Sequence, residues 1–136
     1  MGYFSLLALA LITVPLHAGT VMGPAKQPGT PAMLTSTTHT LTDALAAASL
    51  KNQGNKRISG YRIGWITIVN GKPRFKTGPW MNLPAGIDPG TVVSVPAQSI
   101  AIDSRADRMI FYVAEASFPD GTHWKSDRTS ITFATT

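Results

Sequence analysis

The chain has no cysteine, which removes disulfides, thiolate nucleophiles, thiolate zinc sites, iron–sulfur ligation and lipid attachment through an N-terminal cysteine. Charge is also sparse, at 14% of 136 residues against a usual quarter. There are only seven acids, Asp43, Asp88, Asp103, Asp107, Glu115, Asp120 and Asp127, and three histidines. No Asn-x-Ser/Thr sequon, no internal repeat and no alternation of long helical patterns occurs, so nothing points to N-glycosylation, a solenoid or an α/β nucleotide-binding fold. Thr, Ser, Gly and Pro take the place of the missing charges. That composition belongs to turn-rich, strand-rich proteins.

The apolar run from Tyr3 to Leu16 is about a dozen residues, short of the roughly 20 that cross a bilayer. It ends in Leu16-His17-Ala18-Gly19, where small residues flank a cleavage point after Ala18. Residues 1–18 therefore read as a signal peptide, although Met1-Gly2-Tyr3 carries no Lys or Arg. The expected location is secreted or periplasmic, with no stable transmembrane segment after cleavage. Residues 1–18 hold no Asp, Glu, Lys or Arg, so the net charge of +5 passes whole to the mature chain.

Residues 19–32 are Gly-, Pro- and Thr-rich and are expected to form a flexible leader to a domain over 33–136. Within that domain, Thr-rich alternation predicts a strand over 34–41. Residues 44–51 fit a strand or a short helix capped by Thr42-Asp43, with the strand preferred because the surrounding pattern is all strand. The strongest element is 58–69, where Tyr61, Ile63, Trp65, Thr67 and Val69 share one face. Asn70-Gly71 is a hairpin turn into an edge strand over 72–77 that contains Pro73. Further strands are expected at 91–95, 109–118 and 123–126, with a tail strand over 130–133. Tyr61, Ile63, Trp65, Ile110, Tyr112 and Ala114 are the expected core. About seven short strands with turns near every ten residues predict an all-β, antiparallel two-sheet sandwich of the immunoglobulin-like type.

Lys51-Asn52-Gln53-Gly54, Asp88-Pro89-Gly90, Phe111-Tyr112-Val113 and Phe118-Pro119-Asp120-Gly121 leading to Trp124 resemble small exported bacterial immunoglobulin-like domains of the FxLYD and CARDB types. The likeness covers roughly residues 40–126 and rests on turn motifs; the Phe-x-Leu-Tyr-Asp signature itself is absent. It implies export and a binding or accessory role at the cell envelope, with no catalytic residues.

Read residue by residue, the chain offers little for catalysis, metal binding or a cofactor. Only His39 and His123 remain after the signal, without His-x-His or His-Glu-x-x-His spacing, and no Gly-x-Ser-x-Gly elbow presents a serine. In Asp103 and Asp107, interleaved with Arg105 and Arg108, a solvated turn is a better reading than a calcium loop. A small envelope hydrolase using His123 with nearby carboxylates is the alternative to a binding module. Trp80 and Trp124 could display an aromatic surface, whereas Trp65 is expected to pack inside.

Charge distribution is the most informative feature. Seven bases and no acid lie between Ala44 and Ile87, while six acids face four bases from Asp88 to Arg128. Lys56, Arg57, Arg62, Lys72, Arg74 and Lys76 predict a basic stripe along one sheet edge, which could guard against aggregation or engage an envelope protein or an anionic polysaccharide surface. Nucleic acid is disfavoured because no motif for it appears. Some backbone donors and acceptors of the edge strand 72–77 are expected to lack partners within the domain, so that an acidic segment could add to it as a strand, steered by Arg62, Arg74 and Lys76 and pairing best from Arg74 onward. Oligomeric state is not legible.

Overall fold

A computed structural model describes residues 20–128 and Ile131. The expected signal segment therefore lies outside the described residues, as does the expected tail strand apart from Ile131. Among the described residues the fold is all-β, with eleven strands and no α-helix. They are β1 (Val21–Pro24), β2 (Ala32–Thr38), β3 (Asp43–Leu45), β4 (Ala47–Asn52), β5 (Ile58–Val69), β6 (Lys72–Thr77), β7 (Met81–Ile87), β8 (Val92–Val95), β9 (Gln98–Ala101), β10 (Arg108–Ser117) and β11 (His123–Lys125).

These form three sheets rather than the two expected. The largest is built on the antiparallel pair β5 and β10. The far edge of β5 is shared by β6 and β7, and that of β10 by β1 and β11. The smaller sheets are β2-β4-β8 and β3-β9. Residues 44–51 are strand, in two pieces that part at Ala46, so β3 pairs with β9 while β4 pairs with β2 and β8. The expected strand at 34–41 begins earlier and ends at Thr38. The Asn70-Gly71 turn has φ of 52° and 76°, the left-handed geometry of a tight hairpin, and it sets the β5–β6 register.

Residues 19–32 differ most from the sequence reading. In place of a flexible leader, Val21–Pro24 pairs in parallel with β10, and Ala25 N–H donates to Phe111 O at 2.8 Å. Gln27 then continues the ladder with its side chain. Its Nε2 donates to Val113 O at 2.9 Å and its Oε1 accepts from Val113 N–H at 2.8 Å. A buried carboxamide, 2% exposed, thus stands in for a peptide unit between β1 and β11.

β5 and β10 bury apolar side chains on both faces. On one face Tyr61, Ile63, Met109, Phe111, Val113 and Ala116 join Leu34, Leu45, Leu50, Ile87, Val95 and Ile100 in the main core, which draws on all three sheets. On the other face Ile66, Ile110, Tyr112 and Ala114 pack with Ala25 and Ile131. The expected core therefore divides: Tyr61 and Ile63 belong to the first cluster, Trp65 packs at its margin half-buried, and Ile110, Tyr112 and Ala114 belong to the second. A bulge between Val113 and Glu115 reverses the alternation of β10. It turns Ala116 inward and brings Glu115 out of the main core beside Arg62.

Asn52, fully buried, ties two turns together. Its Nδ2 donates to the carbonyls of Lys56 and Ile87, both at 2.8 Å, and its Oδ1 accepts from Gly54 N–H at 3.0 Å. Its backbone carbonyl accepts from Gly90 N–H at 2.7 Å. The Asn52-Gln53-Gly54 and Asp88-Pro89-Gly90 turns, thirty-odd residues apart, are thus one hydrogen-bonded unit.

Candidate binding edge

The predicted stripe of six bases separates into two groups. In the first, each base is engaged by an acid from the second half of the chain. Lys56 Nζ lies 3.1 Å from Asp120 Oδ2 and 5.2 Å from the centroid of Phe118. Arg57 Nε lies 3.6 Å from Asp88 Oδ1, and its Nη2 donates to Ala85 O. Arg62, half-buried, donates to Glu115 Oε2 at 3.0 Å, Gly78 O at 2.8 Å and Thr77 Oγ1 at 3.0 Å. These contacts explain the uneven charge of the sequence: the basic half and the acidic half are folded onto each other. Arg62 is consequently a structural cation, committed to Glu115, rather than a steering group.

The second group is Lys72, Arg74 and Lys76, all exposed on β6. Among the described residues β6 pairs only with β5, and none of the three bases has a hydrogen-bond or ion-pair partner. Their register partners are Val69, Thr67 and Trp65, so all three project from the same face of the sheet, the one that carries the main core. Beside Lys76 lies an open groove of about 420 Å³, lined by Trp65, Thr67, Lys76 and Met109 on the large sheet and by Ser99 to Asp103 across from it. The groove marks where the smaller sheet β3-β9 stops short of β6. Its far end is held by Asp103, whose carboxyl is lowered below the usual carboxylate range by the side chain of Arg105, then by the Arg105 amide, and slightly by Arg74.

The opposite face carries a different cluster. Trp80, half-buried, meets His123 edge-on with ring centroids 5.7 Å apart, and the Arg62 guanidinium carbon lies 5.9 Å from its ring centroid. Trp124 pairs in register with Ala116 and packs at the margin of the main core. The two tryptophans therefore lie on opposite faces and do not form a joint aromatic platform.

His39 Nδ1 sits 3.1 Å from Thr40 O, and His123 rests on Trp80. Among the described residues neither imidazole reaches a carboxylate, and no group of three His, Asp or Glu side chains could hold a metal ion. Asp120, the acid nearest His123 in sequence, accepts instead from the Thr122 hydroxyl at 2.5 Å, the Thr122 amide at 2.9 Å and Lys56 at 3.1 Å. Those donors, in that order, lower its pKa to about 2.

Sequence reasoning missed Gln27, and it read Asn52 only as part of a turn and not as the buried amide that joins two turns. A polar residue within a Gly/Pro-rich run and an Asn two places before Gly were the available signals. It also missed that β9 borders the basic strand, since β9 is a short strand after Pro96 with no strong pattern.

No protein-family model and no curated protein matches the chain. One solved structure, a hypothetical protein from Peptoclostridium difficile 630, is similar over 79% of this chain and 85% of that one, at 12% identity and a TM-score of 0.39. A likeness this distant carries no argument about function.

Proposed function

We propose that the protein is a non-enzymatic binding or accessory module of the cell envelope, exported on a signal peptide over residues 1–18, which engages an acidic partner through the edge strand β6. In this reading the two smaller sheets together act as the second layer of an immunoglobulin-like sandwich. The kinship with FxLYD- and CARDB-type domains is part of the same proposal, supported by the Asn-x-Gly and Pro-Gly turns that Asn52 joins.

One observation carries the reading: among the described residues, the bases of the predicted stripe without a hydrogen-bond or ion-pair partner are the three on the edge strand β6, while Lys56, Arg57 and Arg62 are each held by an acid. Edge lysines also discourage unwanted sheet pairing. An aggregation guard, however, needs charge and nothing else, whereas here Lys76 also lines an open groove.

The test is retention of the mature chain on a sulfated-polysaccharide column in rising salt. Wild type should be retained at low salt and released as screening increases. Arg74→Glu/Lys76→Glu should flow through with an unchanged far-UV circular dichroism spectrum. Lys51→Glu/Lys125→Glu makes the same change in net charge at two exposed lysines off this edge and should still be retained. Equal retention of all three proteins, or equal loss in both variants, would show that the edge has no special role.

A further inference from the structure

We infer that the partner of this edge is an extended peptide that adds to β6 as an antiparallel strand with acidic side chains at alternate positions. The inference rests on the binding reading above and names the class of ligand. The hydrogen-bond phase of β6 decides which of its amides a ligand can reach. Gly78 N–H donates to Ile63 O at 2.8 Å, and donors alternate between the two edges of an antiparallel strand. The amides of Lys76 and Arg74 therefore point to β5, whereas those of Phe75 and Thr77 point to the open edge. Pro73 falls in the outward phase, where its missing N–H leaves no gap in the β5–β6 ladder. Within the stretch from Arg74 onward, the outward donors are thus Phe75 and Thr77.

Side-chain placement on β6 selects for acidic residues. Lys72, Arg74 and Lys76 project from one face at intervals of about 7 Å, the repeat of every second residue in a strand. A ligand strand presents its own alternate side chains at the same interval, so carboxylates at every second position fall opposite these bases. A second copy of this chain fits poorly, because pairing β6 with itself would set bases against bases. An anionic sugar would meet the bases but has no regular row of amide groups for Phe75 and Thr77.

The test uses two fluorescent heptapeptides of one composition and charge, alternating Glu-Val-Glu-Val-Glu-Val-Glu and block Glu-Glu-Glu-Glu-Val-Val-Val, titrated by anisotropy at low salt against the mature chain. The alternating peptide should bind about tenfold more tightly than the block peptide, the scale of a few cross-strand charge pairs. With glutamates opposite the bases, the valines lie opposite Phe75 and Thr77. N-methylation of the valine amides should therefore abolish binding, and N-methylation of the glutamate amides should spare it. Equal binding of both peptides, insensitive to N-methylation, would overturn strand addition while leaving an acid-binding edge in place. Binding of neither peptide by a protein that the polysaccharide column retains would overturn a peptide ligand, and failure of both assays would overturn the binding reading itself.

Discussion

Replacing Gln27 with Ala tests the claim that a side chain completes the sheet beside β10. The carboxamide makes two hydrogen bonds to Val113, of 2.9 and 2.8 Å, and Val113 is fully buried. Truncation leaves its N–H and C=O without partners, at about 1–3 kcal/mol each, so the expected loss is about 2–6 kcal/mol out of a typical 5–15. In urea, a loss of about 3 kcal/mol with an m-value near 1.5 kcal/mol/M lowers the unfolding midpoint by about 2 M. Gln27→Glu sharpens the test. Its carboxylate can accept from Val113 N–H but faces Val113 O without a proton to donate, and burial raises its folded pKa above the unfolded value. A raised folded pKa means that stability is retained below the unfolded pKa and lost as pH rises through the folded one. The Glu variant should thus approach wild type in mild acid and fall away toward neutrality. A midpoint for Gln27→Ala within about 0.3 M of wild type, a difference of roughly 0.5 kcal/mol at that m-value, would refute the reasoning, because the bonds would then be replaceable.

Three further outcomes follow from the same structure. Asn52→Asp keeps the acceptor for Gly54 but sets a carboxylate against the carbonyls of Lys56 and Ile87, so urea unfolding at neutral pH should show a loss of about 3 kcal/mol or more. Tyr61 OH is buried without a hydrogen-bond partner among the described residues, and burial raises its pKa; Tyr61→Phe should leave the melting temperature unchanged or raise it by a few degrees, the equivalent of up to about 1 kcal/mol. The Asp120 carboxyl, lowered to about 2 chiefly by Thr122, should titrate there by NMR and move toward the ordinary value in Thr122→Val. Because its folded pKa is depressed, its contribution to stability is present above the unfolded pKa of about 4 and is lost as pH falls from there to about 2.

Local chemistry made the β5–β6 hairpin legible: a long β-branched and aromatic run, Asn-Gly, then a charged strand with Pro. Both strands end where the sequence reading ended them. β1 and β7 were not legible, because Gly23, Pro24, Pro84 and Gly86 mask strands that exist only through pairing with distant partners. The division of the core escaped for a related reason. Alternation along β10 gives two faces but cannot tell which is covered, and the bulge at Val113–Glu115 that moves Ala116 to the main core leaves no mark in composition. At the candidate site, the spacing of Lys72, Arg74 and Lys76 and the turn before them placed three bases on one edge. The ion pairs of Lys56, Arg57 and Arg62 join residues 64, 31 and 53 positions apart, and no local pattern reveals such pairs.

The central claim, that β6 is an open edge that receives an acidic strand, is tested most directly by amide hydrogen exchange at single residues, with and without the alternating Glu-Val heptapeptide. Phe75 and Thr77 should exchange quickly in the free protein while Arg74 and Lys76 are protected by β5, and the peptide should slow Phe75 and Thr77 at least tenfold. Phe75 and Thr77 already protected in the free protein, or unchanged when the peptide is bound, would contradict it.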